Sequence, residues 1–96
     1  MSYVGHLPYK QTRLALNHPL ANGVSIVSGH GTYTTGSLDR ELAFFMNDEW
    51  VSIDIPEFAQ YSSVGTMSVY AYVPYRELLA FLTKYAVHND FMHKPL

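Results

Sequence analysis

The chain contains no cysteine, which removes disulfide frameworks and thiolate zinc sites and, in a domain under about a hundred residues, fits a reducing compartment such as the cytoplasm. Charge is scarce too. Charged residues are 15% of the 96, against about 25% in an average soluble protein, and the formal net charge is −2. The basic residues Lys10, Arg13, Arg40, Arg76, Lys84 and Lys94 are scattered, so no basic stripe follows a phosphate backbone and nucleic acid is disfavoured as the main partner. No apolar run approaches the roughly 18 residues of a membrane-crossing helix, and "MSYVGHLPYK" lacks the basic start and apolar core of a signal peptide. The expectation is a cytoplasmic protein with no membrane association.

What remains is a chain that is 48% hydrophobic, enough for one compact domain over residues 1–96 with residues 88–96 as a frayed tail. In "VPYRELLAFLTKYAV", Leu78, Phe81, Leu82 and Tyr85 recur at helical spacing behind Pro74, with Glu77 near the start and Lys84 near the end, which predicts a helix over 74–87. "TMSVYAYV" alternates as a strand, with Met67, Val69, Ala71 and Val73 toward the core and Tyr70 and Tyr72 on the opposite face. "ELAFFMNDEWVSIDI" reads as a hairpin about Asn47-Asp48, with Trp50 opposite Val51 and Ile53; the alternative for 37–46 is a helix opened by Ser37. "GVSIVS" is a strand introduced by a turn at Asn22-Gly23, and "LPYKQTRLALNHP" is read as a short N-terminal helix opened by Pro8 in preference to an edge strand. The sum is an α+β domain, a mainly antiparallel sheet of three or four strands with one C-terminal helix on its aliphatic face.

No motif carries a complete chemistry. In "SGHGTYTTGS" the spacing of Gly29, Gly31 and Gly36 misses the dinucleotide fingerprint, and the stretch has no lysine for a phosphate loop. His30, Gly31 and Thr32 resemble the His-Gly-Thr triplet of ADP-ribosyltransferases. That resemblance implies an NAD-binding loop, with Glu57 or Glu77 as the acidic partner and Tyr70 or Tyr61 as the aromatic one. Against it stands a glycine-containing connection between strands. The histidines His6, His18, His30, His88 and His93 have no metal-ligand spacing, and the acidic pairs Asp39/Glu41 and Asp48/Glu49 read as solvated charge at a strand start and a turn. Neither a metal nor a cofactor is called for.

Aromatic residues are 15% of the chain, more than a small core is expected to hide. Trp50, Tyr70 and Tyr72, with Tyr75 and Arg76 at the helix start, are the candidate partner-binding residues, because tyrosine, tryptophan and arginine bring large contact area with a polar tip to interfaces. The reading is a stoichiometric binder of a protein partner, with a homodimer as the other use of the same face. Inhibitors and phage-type blocking proteins share its size and composition, an analogy with no motif behind it.

Overall fold

The computed structural model describes residues 8–50, 55–61, 69–92 and 96. It is a small α+β domain built on one antiparallel sheet. The strands are β1 (Lys10–His18), β2 (Ala21–Ser28), β3 (Asp39–Met46), β4 (Glu49–Trp50) and β5 (Val69–Pro74), and the helix is α1 (Tyr75–Tyr85). β1, β2 and β3 pair in sequence, and β4 and β5 both pair with β3, β4 beside its C-terminal end and β5 beside its N-terminal half. Among the described residues no helix is long and apolar enough to cross a membrane.

β1 corrects the expectation of an N-terminal helix. "KQTRLALNH" is rich in helix formers, but Leu14 and Leu16 alternate with the exposed Arg13, Ala15 and Asn17, and pairing with β2 overrides local preference. The turn at Asn22-Gly23 is corrected as well. β1 and β2 are joined at Pro19-Leu20, and Gly23 lies inside β2 between Ala15 and Phe45. Asn22 is engaged elsewhere: its amide donates to Asn47 Oδ1 at 3.0 Å and its Oδ1 accepts the Asn47 N–H at 2.9 Å. That bond pins the β3–β4 hairpin, whose two turn residues Asn47 and Asp48 both take left-handed φ values, 53° and 69°, as a tight hairpin of this hand requires. Residues 37–46 therefore supply a strand. Val51 and Ile53 lie outside the described residues, as does Met67.

β5 departs from simple alternation. Leu42 faces Tyr70 and Arg40 faces Val73, so Ala71 and Tyr72 together stand opposite Glu41. Tyr72 has φ 56°, and this extra residue turns the strand over. Tyr70, expected on the outer face, is fully buried with Val73, while Tyr72 stays exposed. The Tyr70 hydroxyl accepts the Ile55 N–H at 2.7 Å.

β5 runs into α1 with no loop, Pro74 standing immediately before the helix and the Tyr75 N–H donating to the Leu38 carbonyl at 2.8 Å. Leu78, Phe81 and Leu82 are buried against the sheet, and the chain leaves the helix at Ala86, which bridges to Leu16. The core holds a cluster of rings. Phe44 meets Phe58, Tyr70 and Phe81 at centroid distances of 6.0, 5.5 and 5.9 Å, and Phe58 lies 4.8 Å from Phe81. The core thus absorbs more aromatic side chains than the composition suggests. In the segment expected to be a frayed tail, Phe91, in a 3₁₀ turn at Asp90–Met92, and Leu96 are both buried. Leu96 is fixed by the Tyr75 hydroxyl, which accepts its N–H at 3.1 Å, and by Arg40, whose Nε donates to its main-chain oxygen at 2.6 Å.

Leu82 is almost fully buried in this cluster, so Leu82→Ala is expected to lower stability by about 2–5 kcal/mol, the range for emptying such a site. A urea unfolding curve checks this, and an unshifted midpoint contradicts the packing of α1.

Candidate functional site

With α1 and the 3₁₀ turn at Pro56–Tyr61 on one face of the sheet, the other face presents Gln11 and Arg13 of β1, Ser25 and Val27 of β2, Glu41, Ala43 and Phe45 of β3, and Trp50 of β4. A groove of about 290 Å³ crosses this face between Tyr9 and Trp50. Its floor is Ser25 and Ala43, both buried. Gln11 Nε2 donates to Ser25 Oγ at 3.0 Å. Glu41 Oε1 accepts the Tyr33 N–H at 2.9 Å, which orients the carboxylate.

Four large rings remain accessible around this carboxylate: Tyr9 at 58%, Trp50 at 49%, Tyr72 at 48% and Tyr33 at 45%. Two of the four, Tyr33 and Tyr72, touch each other. Trp50 packs on Phe45 at 4.8 Å, with the Arg13 guanidinium 4.1 Å over the same Phe45. Tyr33 and Tyr72 meet edge to face at 6.5 Å, and the Tyr72 N–H donates to the Tyr33 carbonyl at 3.1 Å.

Of the residues nominated from sequence, Trp50 and Tyr72 belong to this surface and Tyr70 does not. Tyr75 and Arg76 lie on α1, which covers the opposite face. Tyr75 is spent on Leu96 and on the Arg40 guanidinium, 4.5 Å from its ring, while Arg76 is exposed. Tyr9, Tyr33 and Glu41 were missed. Reading β1 as a strand exposes Tyr9 at once, since it falls in the outward series with Gln11 and Arg13.

The loop at His30, Gly31 and Thr32 is knitted internally. Gly29 and Gly31 take left-handed φ values of 98° and 84°. The Thr32 hydroxyl donates to the Gly29 carbonyl at 2.6 Å and shares a 2.7 Å bond with Thr34, and Asp39 holds Thr35 through its N–H and hydroxyl at 2.8 and 2.7 Å. The hydroxyls fix the loop's own shape. Glu57, one acidic nominee, is bound to His18 at the β1–β2 turn, and His30 follows the far end of β2, roughly 23 Å of strand away. Glu77, the other, accepts the Tyr61 hydroxyl at 2.7 Å, a bond that raises the Tyr61 pKa above its ordinary value.

The His18–Glu57 pair joins a buried imidazole to a half-buried carboxylate. His18 Nδ1 accepts the Leu20 N–H at 3.1 Å, so the proton sits on Nε2, which faces both Glu57 oxygens at 3.2 Å. Both ring nitrogens are occupied, and no lone pair is left for a general base. Tyr85 and Phe81 box the imidazole at 4.5 and 5.6 Å. Partial burial works against the Glu57 charge, but hydrogen bonds from its own amide, Tyr85 and His18 outweigh it and hold its pKa below the ordinary value. The pair is a clamp between the β1–β2 turn and the 3₁₀ turn. A second groove of about 290 Å³ runs beside it, between the 3₁₀ turn and α1, and its two carboxylates are those already committed to His18 and Tyr61. Among the described residues no group of three histidines or acids converges as a metal site.

Comparison with protein-family models, curated proteins and solved structures gave no match to this chain.

A carboxyl whose pKa is depressed by folding adds stability above its unfolded value, and that stability is lost as pH falls through the folded value. The contribution of Glu57 is therefore complete above its ordinary value of 4.5 and fades below it. Urea midpoints of the wild type and Glu57→Gln are expected to differ most above that ordinary value and to converge as the pH falls well below it; a gap that widens on acidification contradicts the clamp.

Proposed function

We propose that the protein acts by binding another protein, one to one, through the open face of its sheet, in the cytoplasm, and works by occupying its partner's surface rather than by catalysis. The observation that carries this reading is the set of four exposed rings, Tyr9, Tyr33, Trp50 and Tyr72, arranged around one oriented carboxylate. Exposed aromatic patches on otherwise soluble domains mark interaction surfaces. Tyrosine and tryptophan suit that role because they carry large rigid area at a low cost in side-chain entropy. The scarcity of charge fits the same use, since interface centres are depleted in charged groups. The groove is shallow in content for an enzyme: its hydroxyl and amide groups are largely bonded to one another, and the buried histidine lies on the other face.

Trp50 and Tyr72 are the expected anchors. Truncating an interface anchor costs about 2 kcal/mol or more, or roughly thirtyfold in affinity. A partner identified by cross-linking in cells and then purified is expected to bind with unit stoichiometry in calorimetry. Trp50→Ala and Tyr72→Ala should each weaken it by about that factor while remaining folded. Wild-type affinity in both folded variants overturns the reading. So does sedimentation showing that the same substitutions abolish a self-associated dimer, which makes the face a contact between copies of this chain.

A further inference from the structure

We infer that the groove at Glu41 is a pocket for a single arginine side chain projected by the partner protein, its guanidinium meeting the Glu41 carboxylate in the groove that Tyr9 and Trp50 line. The inference rests on the open-face reading and names what that face recognises.

Charge gives the sign of the guest. Glu41 is the one charged residue among the described residues lining the groove, and no cation among the described residues pairs with it. Its Oε1 holds the Tyr33 N–H, and no described donor reaches its Oε2. An anionic guest meets repulsion and no compensating charge. The neutral polar groups are already committed, Gln11 to Ser25 and Thr32 to Gly29 and Thr34, so a neutral polyhydroxyl guest has few free donors to meet. A cation has a carboxylate, and the rings that line the groove, Tyr9 and Trp50, present faces that attract positive charge.

Shape selects guanidinium over ammonium. The groove's volume, about 290 Å³, lies just below the roughly 300–1,000 Å³ range for small-molecule sites, enough for one side chain and too little for a dinucleotide. A guanidinium is planar, less strongly hydrated than an ammonium, stacks on rings and meets a carboxylate through two parallel N–H bonds. Among the described residues this contact already occurs twice, Arg13 lying 4.1 Å over Phe45 on the same face and Arg40 4.5 Å over Tyr75.

Trp50 is the only tryptophan, so its fluorescence reports the groove directly. The full chain is titrated with N-acetyl-arginine N-methylamide, with the citrulline analogue as the neutral isostere and the lysine analogue as the other cation. A saturable change with the arginine probe is expected, weaker by about tenfold or more with citrulline, as for loss of a hydrogen-bonded charge, and weaker with lysine. Glu41→Gln keeps an amide oxygen for the Tyr33 N–H while removing the charge, and is expected to abolish the arginine preference; Tyr9→Ala, at an exposed position, should weaken it. No saturable change with arginine, equal binding of citrulline, lysine binding as tight as arginine, or an unaltered Glu41→Gln each overturns the inference. The partner separates this from the parent reading. If Glu41→Gln binds the purified partner as well as the wild type while Trp50→Ala does not, the arginine pocket is wrong and the open face stands; if neither variant loses affinity, both fall.

Discussion

Tyr72 holds a left-handed backbone, φ 56°, which costs a residue with a side chain on the order of 1–2 kcal/mol, and much of the structure follows from where that cost is accepted. The extra residue it creates in β5 opposite Glu41 reverses the facing of the strand between Tyr70 and Val73. Both then enter the core, three positions apart. The returns are local and identifiable: Tyr70 completes the ring cluster with Phe44 and Phe58 and caps the Ile55 N–H with its hydroxyl. Tyr72, on the outward side of the bulge, ties the loop after β2 to the sheet through the Tyr33 carbonyl.

That bulge also assembles the open face. By holding Tyr33 it places the Tyr33 N–H on Glu41, so the carboxylate of the groove is oriented by a chain of contacts that begins at Tyr72. On the inner side, Arg40 pairs in register with Val73 and is buried. Its guanidinium is satisfied by main-chain oxygens of Ser37, Asp39 and Leu96 at 3.0, 2.7 and 2.6 Å, which brings the last described residue against the start of α1. One backbone irregularity thus links the core, the loop, the groove and the C-terminal contact.

The sequence was readable where a pattern and its physical cause coincide. The apolar spacing of Leu78, Phe81 and Leu82 located α1 to within two residues at each end, and Asn47-Asp48 located a hairpin because both residues tolerate the left-handed region. Reading failed where tertiary pairing decided. β1 has a helix-forming composition, and only its partner β2 makes the alternation count. Asn22-Gly23 has the composition of a turn, yet Asn22 is more useful bonded across to Asn47. Nothing in "VYAYV" announces a bulge, since the left-handed residue is a tyrosine and not a glycine, so Tyr70 was placed outside. Of the open face, Trp50 and Tyr72 were legible as surplus aromatics, whereas Tyr9 joins Glu41 only through the β1–β2 and β2–β3 pairings, and Tyr33 reaches it through the shape of the loop after β2.

The partition of the two tyrosines is the central claim, and hydroxyl-radical footprinting of the native protein resolved by mass spectrometry tests it most directly. The bulged strand predicts rapid modification of Tyr72 and protection of Tyr70 until the protein unfolds. Comparable modification of both in the folded state would mean that β5 alternates regularly, with both rings outward, and would contradict the account.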